Sequence, residues 1–473
     1  MRRTSLSWLV AMLSLVFASS ASASPLLTLR HDGSAFARED PYLPAATELP
    51  RAAPPTVRRA AAQPRARAAR AARRSVAGEL ARMLAAGAID QATHDARLAT
   101  YVDARRLVHR LRGTRRAALG AVVRNLEQIA ARGDLDATRL AALFETLARN
   151  RQWWARGPLL GYGQRVSFQG SPLVWQYYPG EGLQIQWLGT FGKANALWAS
   201  GTHDDALRAL LEAAVPLAAQ RAGGIGFEYL FDFDGGRPPW VSGLAQGTAI
   251  QALSRAAVRL GEPRWFQAAR AALGIFREAP PSGVRIATPH GAHYLIYSFA
   301  PHMRVLNAFT QALNGLHDFA LIANDAEGRA LFAAGEAQLR AELPAYDTGA
   351  WSRYSLHRQA DLGYHKLARD FLENLCTRLR EDVARTQAGT TATAPTGGAL
   401  PAAAPAQPAA AGGALPAGTP AQPAAALADP APYCDAARRF TSYLRQPPVV
   451  ALLSKRVRAG RPATLRLSLS KPS

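Results

Sequence analysis

The stretch PPWVSGLAQGTAIQALSRA, Pro238 to Ala256, reads as a helix with a small-residue start. Leu244, Gly247 and Ile250, with Ala257 just beyond, fall along one face at helical spacing. Helices spread outward from it in pairs. Upstream, Leu207, Leu210 and Leu211 make a stripe that begins near Asp204. Downstream, Pro263 suits the first turn of another helix, which carries Phe266, Ala269 and Leu273. Further helices are predicted from about Met303 to Ala320, from Ala326 to Leu343 and from Tyr364 to about Val383. The loops between them, 223–241, 279–302 and 344–363, are rich in aromatic residues. Helical hairpins whose loops gather aromatics, His and Arg predict a mainly α protein. The expected architecture is an α/α toroid, an incomplete helical barrel with a cleft at one end.

The flanks differ in character. Residues 75–150 predict a small helical N-terminal region. Leu119, Val122, Val123, Leu126 and Ile129 form one stripe, Leu140, Leu143, Phe144 and Leu147 another, with Asp136 as a helix cap. Trp153, Trp154, Tyr162, Phe168, Trp175, Tyr177, Tyr178, Trp187 and Phe191 then crowd into a Gly- and Gln-rich stretch suited to short strands or loops. Residues 24–74 lack periodicity, and Arg51 to Arg74 holds Ala, Pro and Arg without an acidic residue, which predicts a disordered basic linker. Residues 388–431 read as an Ala/Pro-rich linker, 432–446 as a short helix and 447–473 as a β-like tail, since Ala463 to Ser470 alternates apolar and polar.

Of 473 residues, 56 are Lys or Arg and 34 Asp or Glu, a formal net charge of +22. Only Lys193, Lys366, Lys455 and Lys471 are lysines, so the charge is an arginine charge, part of a composition biased to Ala, Arg and Pro. It suits a polyanionic partner. Arg2 and Arg3, the apolar run Leu6 to Phe17 and Ala21-Ser22-Ala23 read as a secretory signal peptide over 1–23. The run is shorter than the roughly 20 residues that span a bilayer, so no stable membrane insertion is expected. A secreted or periplasmic chain meets anionic polysaccharide or lipid rather than nucleic acid. Two cysteines exclude a disulfide-dense scaffold and a Cys-built zinc module.

Three segments carry a resemblance: PPWVSGLAQGTAIQALSRA, VLNAFTQALNGLHDFA (Val305 to Ala320) and LPAYDTGAWSRYSLHRQADLGYH (Leu343 to His365). In that order they resemble the C-terminal domain of the D-glucuronyl C5-epimerases, over about Arg151 to Arg380 and again at Cys434 to Leu444. The family converts glucuronate to iduronate within heparin-like polymers. The resemblance implies an isomerase that acts on an anionic polysaccharide without a cofactor, with Tyr354, Tyr364 and Tyr297 as its functional tyrosines and Asn307 lining its cleft. Two positions depart from the pattern. Ile296 stands where the family often has a glutamate base, and His357 stands where it has an arginine, with Arg358 next to it. His293, Tyr294 and Glu228 are the nearby groups to consider in place of the glutamate.

Those residue types suit the chemistry. Inverting a uronate at C5 removes a proton beside a carboxylate and returns one to the opposite face, which takes two acid/base groups. Charge builds on the carboxylate as the proton leaves, so cations or donors belong there. Arg353, Arg358, His357 and His365 lie near Tyr354 and Tyr364 in sequence and are expected to help bind substrate and to favour a phenolate. His290 and His293 resemble a metal pair, but no third ligand stands nearby and no metal is expected. Asp232 and Asp234 suit either a calcium or glycosidase site or a solvated turn before Gly235. A lyase or hydrolase on the same toroid, and a non-catalytic polysaccharide-binding protein, remain as alternatives; a homo-oligomer is left open. Cys376 on one helix and Cys434 at the start of a segment resembling the family's closing helix predict a disulfide across the Ala/Pro linker; the alternative is two buried thiols packed apart.

Overall fold

The computed structural model describes residues 26–44, 74–391, 428–448, 450–452 and 467–471. The signal-peptide segment, the Arg-rich part of the arm and most of the Ala/Pro linker lie outside the described residues. The first described residues correct the expectation of one disordered linker over 24–74. β1 (Leu26–Leu29) and β2 (Ala35–Arg38) pair antiparallel. β1 also runs parallel to β3 (Arg165–Phe168), which continues through β4 (Ser171–Tyr178) and β5 (Gly182–Ile185) in sheet order β2-β1-β3-β4-β5. Four-residue strands are too short to show a period. Their stability comes from distant partners: the Thr28 and Ser167 hydroxyls bond at 2.8 Å, and Leu26 packs with Leu43 and Val174.

The expected N-terminal helices are α1 (Val76–Ala85), α2 (Gln91–Arg110), α3 (Gly113–Arg132) and α4 (Leu140–Arg156). Ser75 and Asp90 cap α1 and α2 by accepting the Gly78 and Thr93 N–H groups. α4 runs past the predicted boundary at residue 150 because Trp153 and Trp154 are buried against the sheet, with Trp154 5.4 Å from Tyr177 and Trp153 5.8 Å from Phe168. Asn150 of α4 grips β5, exchanging hydrogen bonds with the Leu183 backbone at 2.7 and 2.8 Å.

Pleating gives this sheet two faces. Trp175 opposite Ile185, and Tyr177 opposite Leu183, form an apolar face. The other face is polar: Arg165 stands opposite Gln176, Gln176 opposite Gln184, and Tyr178 lies two residues along from Gln176.

The helices that follow are α5 (Trp187–Ser200), α6 (Asp204–Ala214), α7 (Gly243–Leu260), α8 (Arg264–Ala271), α9 (Gly274–Arg277), α10 (Leu306–Ile322), α11 (Ala326–Glu342), α12 (Leu362–Thr391) and α13 (Ala431–Arg445). Short hairpins separate them: β6 (Ala219–Arg221) with β7 (Gly224–Gly226), β8 (Arg285–Thr288) with β9 (Gly291–Tyr294), and β10 (Arg353–Ser355) with β11 (Arg358–Gln359). α5, α7, α10 and α12 pack side by side in that order, and each also packs on the next helix: α6, α8, α11 and α13 respectively. The described residues are thus predominantly helical. Among them, no helix is long and apolar enough to cross a membrane.

α7 and α10 are buried on every side over most of their length, which explains their small residues. A Cβ on Gly247 would stand 2.6 Å from the Ala312 Cα, and one on Gly315 would stand 2.0 Å from the Gly247 carbonyl oxygen. Gly247→Ala is therefore expected to destabilise the fold by about 1–3 kcal/mol through overpacking, read as a lowered Tm. A Tm unchanged from wild type would mean that the helices separate freely.

The polar side chains between these helices satisfy one another. Asp318 accepts from Gln251 at 2.9 Å and pairs with Arg255 at 2.8 Å and Arg378 at 2.6 Å. Burial alone would raise its pKa; Arg378 and Arg255 hold it well below the usual carboxylate range.

α13 closes the helical part. Cys376 of α12 and Cys434 of α13 form a disulfide, with Cα atoms 5.0 Å apart. The Tyr433 hydroxyl donates to Glu336 at 2.7 Å. The tail pairs β12 (Val450–Leu452) with β13 (Leu467–Leu469), and the Lys471 ammonium donates to the Tyr443 and Gln446 carbonyls beyond them.

Candidate active site

The LPAYDTG segment is a frame rather than a set of reactive groups. Tyr346 is buried and donates to Glu342 at 3.2 Å. Asp347 is held from α13 by Arg439 at 2.8 Å and by the Tyr443 hydroxyl at 2.9 Å. Gly349 has φ +79°, a left-handed turn that glycine adopts without strain. This frame aims β10. Val305, just before α10, bridges to Ser355 of β10 and so sets the first turn of α10, with its buried Asn307, beside Tyr354. Asp361 accepts the Tyr364 N–H at 2.8 Å and so caps α12, bringing Tyr364 up to β10.

Tyr354 and Tyr364 come together with ring centroids 4.6 Å apart, each 7% exposed. They share an apolar cluster with Leu244, Ile296, Val305, Ala308 and Phe371, and Tyr297 packs against it. The Arg358 guanidinium lies over the Tyr354 ring at 4.8 Å. Tyr297 stacks on Phe299 at 5.2 Å and meets Trp240 edge-on at 5.4 Å. The three tyrosines thus gather at one place, and the first turn of α10, which carries Asn307, lies beside Tyr354.

The sheet supplies the facing groups, which sequence reading missed as a set. Trp240 stacks on Tyr229 at 4.3 Å. The Tyr229 hydroxyl donates to Gln186 Oε1 at 3.3 Å, and Gln186 Nε2 donates to the Tyr178 hydroxyl at 3.4 Å. Arg165 stands on the same sheet face as Tyr178. Asp234, at φ +46° on the turn after Phe233, is exposed at the edge and acts electrostatically on both Tyr354 and Tyr162. The available signal was the crowding of aromatics and glutamines over 153–200.

Burial dominates the electrostatics. It pushes the phenols of Tyr178, Tyr229 and Tyr297 far above their ordinary value. Burial and then Tyr364 raise Tyr354, against the lowering effect of Arg358. Tyr178, Tyr229, Tyr297 and Tyr354 are therefore neutral hydroxyls, able to donate hydrogen bonds and protons.

Several expectations need correction. His365 is fully buried and faces away from the tyrosines. Its ring stacks on Trp351 at 3.7 Å, Nδ1 meets the Ser352 hydroxyl at 2.7 Å and accepts the Ser352 N–H at 3.2 Å, and Nε2 donates to the Phe440 carbonyl at 2.9 Å. With both ring nitrogens used, His365 joins α12 to α13. Burial pushes its pKa down, in keeping with a neutral ring. His357 is exposed on the β10–β11 turn, and only its neighbour Arg358 reaches a tyrosine.

Each of the three groups considered in place of the glutamate has a partner of its own. Glu228 is clamped by Arg139 and Arg221, each at 2.6 Å; His293 bonds Glu342 at 2.7 Å; the Tyr294 hydroxyl donates to the Leu331 carbonyl at 2.6 Å. His290 is exposed while His293 points inward, so the two do not converge. Among the described residues, no group of three or more His, Cys, Asp or Glu is arranged to hold a metal ion.

Residues 222–389, which carry Tyr229, Tyr297, Asn307, Tyr354 and Tyr364, match the family described as D-glucuronyl C5-epimerase C-terminus. This segment, about a third of the chain, is where the similarity to the D-glucuronyl C5-epimerases lies. A D-glucuronyl C5-epimerase of Caenorhabditis elegans is 32% identical over 136 residues, which cover 26% of this chain and 22% of that protein. The chain thus matches less than a quarter of that relative's length. The epimerase-family segment starts later than the resemblance predicted. Arg165, Tyr178 and Gln186 lie before it, and α13, with the Asp347 anchor, lies after it.

Proposed function

We propose that the protein inverts a uronate at C5 within an anionic polysaccharide, as an epimerase of the family that residues 222–389 match. The observation that carries this reading is the pairing of Tyr354 and Tyr364 at 4.6 Å, with Arg358 over the Tyr354 ring and Tyr297 packed against the same cluster. The C5–H bond breaks, its proton passes to an acceptor on one face, and its electron pair moves into the carboxylate. A proton from the other face then completes the inverted centre. Tyr354, with Arg358 over its ring, is the acceptor; Tyr364 is the donor. No cofactor enters this scheme. The packing order α5, α7, α10, α12, each with its following helix, supports an incomplete α/α toroid. A secreted or periplasmic location is in keeping with the Arg2 to Ala23 pattern and with the disulfide.

The test is to incubate the protein with glucuronate-containing polymers and follow the glucuronate-to-iduronate ratio by NMR. Conversion without chain cleavage is expected. Unsaturated chain ends would make the protein a lyase.

A pH profile tests the acceptor. Because Tyr354 lies above its ordinary pKa, kcat/KM is expected to rise with pH on the alkaline side. Arg358→Ala removes the cation that lowers this phenol and should move the rise further alkaline. A profile unmoved by the substitution would remove Tyr354 as acceptor.

One observation favours a second reading, in which the cleft binds polysaccharide without turning it over. Ile296 is buried in the same apolar cluster as Tyr354 and Tyr364, at the position where the family often has a glutamate base. Ile296→Glu separates the two readings. Turnover that appears only in the substituted protein identifies a binding protein; turnover in wild type, unchanged or lowered by the new buried charge, identifies an enzyme that works through tyrosine.

A further inference from the structure

Arg165 is a buried cation in search of an anion. As a residue it is half-buried, yet its Nε is fully buried and has no hydrogen-bond partner. Nη1 donates to the Pro44 carbonyl, which carries no charge to balance the guanidinium. Burial pushes the pKa of the group down, and the ionisable groups that act on it are Tyr178 and Tyr229, both neutral phenols in this setting. Buried charges in proteins are ordinarily paired, and a buried donor without a partner marks a site whose partner is missing.

The surroundings say what that partner is. Arg165 stands on the polar face of the sheet, opposite Gln176 and on the same face as Tyr178. The Tyr178 hydroxyl is joined through Gln186 to that of Tyr229, which leads through Trp240 to Tyr297. The guanidinium therefore lies at the Tyr178 and Tyr229 end of the tyrosine cluster, close enough to act electrostatically on both. It presents a planar fork of donors, the shape that suits a carboxylate.

We infer that Arg165 is the carboxylate-binding residue of the cleft, supplied by the sheet outside the epimerase-family segment, and that it takes the C5 carboxylate of a uronate. This deepens the proposed function and rests on it. Held there, the carboxylate neutralises the buried guanidinium. As the C5 proton departs, the electron pair that flows into the carboxylate builds negative charge beside a cation already in place.

The test uses the whole protein and three probes: a glucuronate-containing oligosaccharide, its carboxyl-reduced counterpart and a sulfated, carboxyl-reduced one. Calorimetry is expected to show wild type binding the uronate about 10–100-fold tighter than the reduced form. Arg165→Gln should bring the two within about twofold, and Arg165→Lys should restore part of the difference. The Tm of ligand-free Arg165→Gln should be no lower than wild type, because the change removes an unpaired buried charge. A preference retained in Arg165→Gln, or a Tm drop with binding unchanged, would make Arg165 structural and overturn the assignment alone. Tightest binding of the sulfated, carboxyl-reduced probe would overturn the carboxylate assignment in favour of sulfate. If wild type binds none of the probes, the polysaccharide reading itself fails and takes this one with it.

Discussion

Replacing Tyr364 by phenylalanine is expected to lower C5 proton exchange by about 10²–10⁴-fold, the usual contribution of one positioned acid or base. The substitution keeps the ring, which is 7% exposed and packed against Tyr354 at 4.6 Å, and removes only the hydroxyl that carries the proton. Losing one buried hydroxyl costs about 1 kcal/mol of stability, so the fold survives and the loss is chemical. Tyr101→Phe is the control, because it also removes a bonded hydroxyl, the donor to Glu127 at 2.6 Å on α2. Exchange should persist in that variant. Turnover of Tyr364→Phe within a factor of two of wild type would remove Tyr364 from the mechanism.

Cys434→Ser is expected to destabilise the protein by about 4 kcal/mol, the chain-entropy contribution of a crosslink closing a loop of this length. The bridge spans a sequence separation of 58 residues. The loss should lower Tm by on the order of 10 °C. It should also reach the cleft, since α13 holds Asp347 through Arg439 and Tyr443 and receives the His365 Nε2 hydrogen bond at Phe440. Loosening α13 frees the frame that aims Tyr354, so C5 exchange falls along with stability. Thermal unfolding with and without reductant checks this. Reduced wild type should melt like Cys434→Ser, and Cys376→Ser should match both. Identical melting in all forms would mean that the bridge contributes nothing.

The helices were legible because periodicity is a local signal. The expected Met303 to Ala320 and Ala326 to Leu343 lie within three residues of α10 and α11 at each end. β1 and β2 were not legible, because each is only four residues long and the sheet that β1 joins lies more than a hundred residues further on, as in the Thr28–Ser167 bond. His365 misled for a geometric reason. Successive residues on a helix point about 100° apart, so Tyr364 faces β10 while its neighbour faces α13. Tyr354, Tyr364 and Tyr297 were singled out by the family resemblance, and their packing into one cluster is what the structure adds. Arg165 was not: no motif surrounds it, and only the pairing of β3 with β4 puts it on the face of Tyr178. The Cys376–Cys434 pairing was readable because the family's closing helix gave each cysteine a place.

The most direct test of the central claim is solvent exchange at C5. Incubating the protein with a glucuronate-containing polysaccharide in D₂O and analysing the sugars by mass spectrometry reads proton removal whatever the equilibrium position. The account predicts deuterium at C5 of uncleaved chains with wild type, and almost none with Tyr364→Phe. Wild-type protein that binds the polymer but leaves C5 free of deuterium would contradict it.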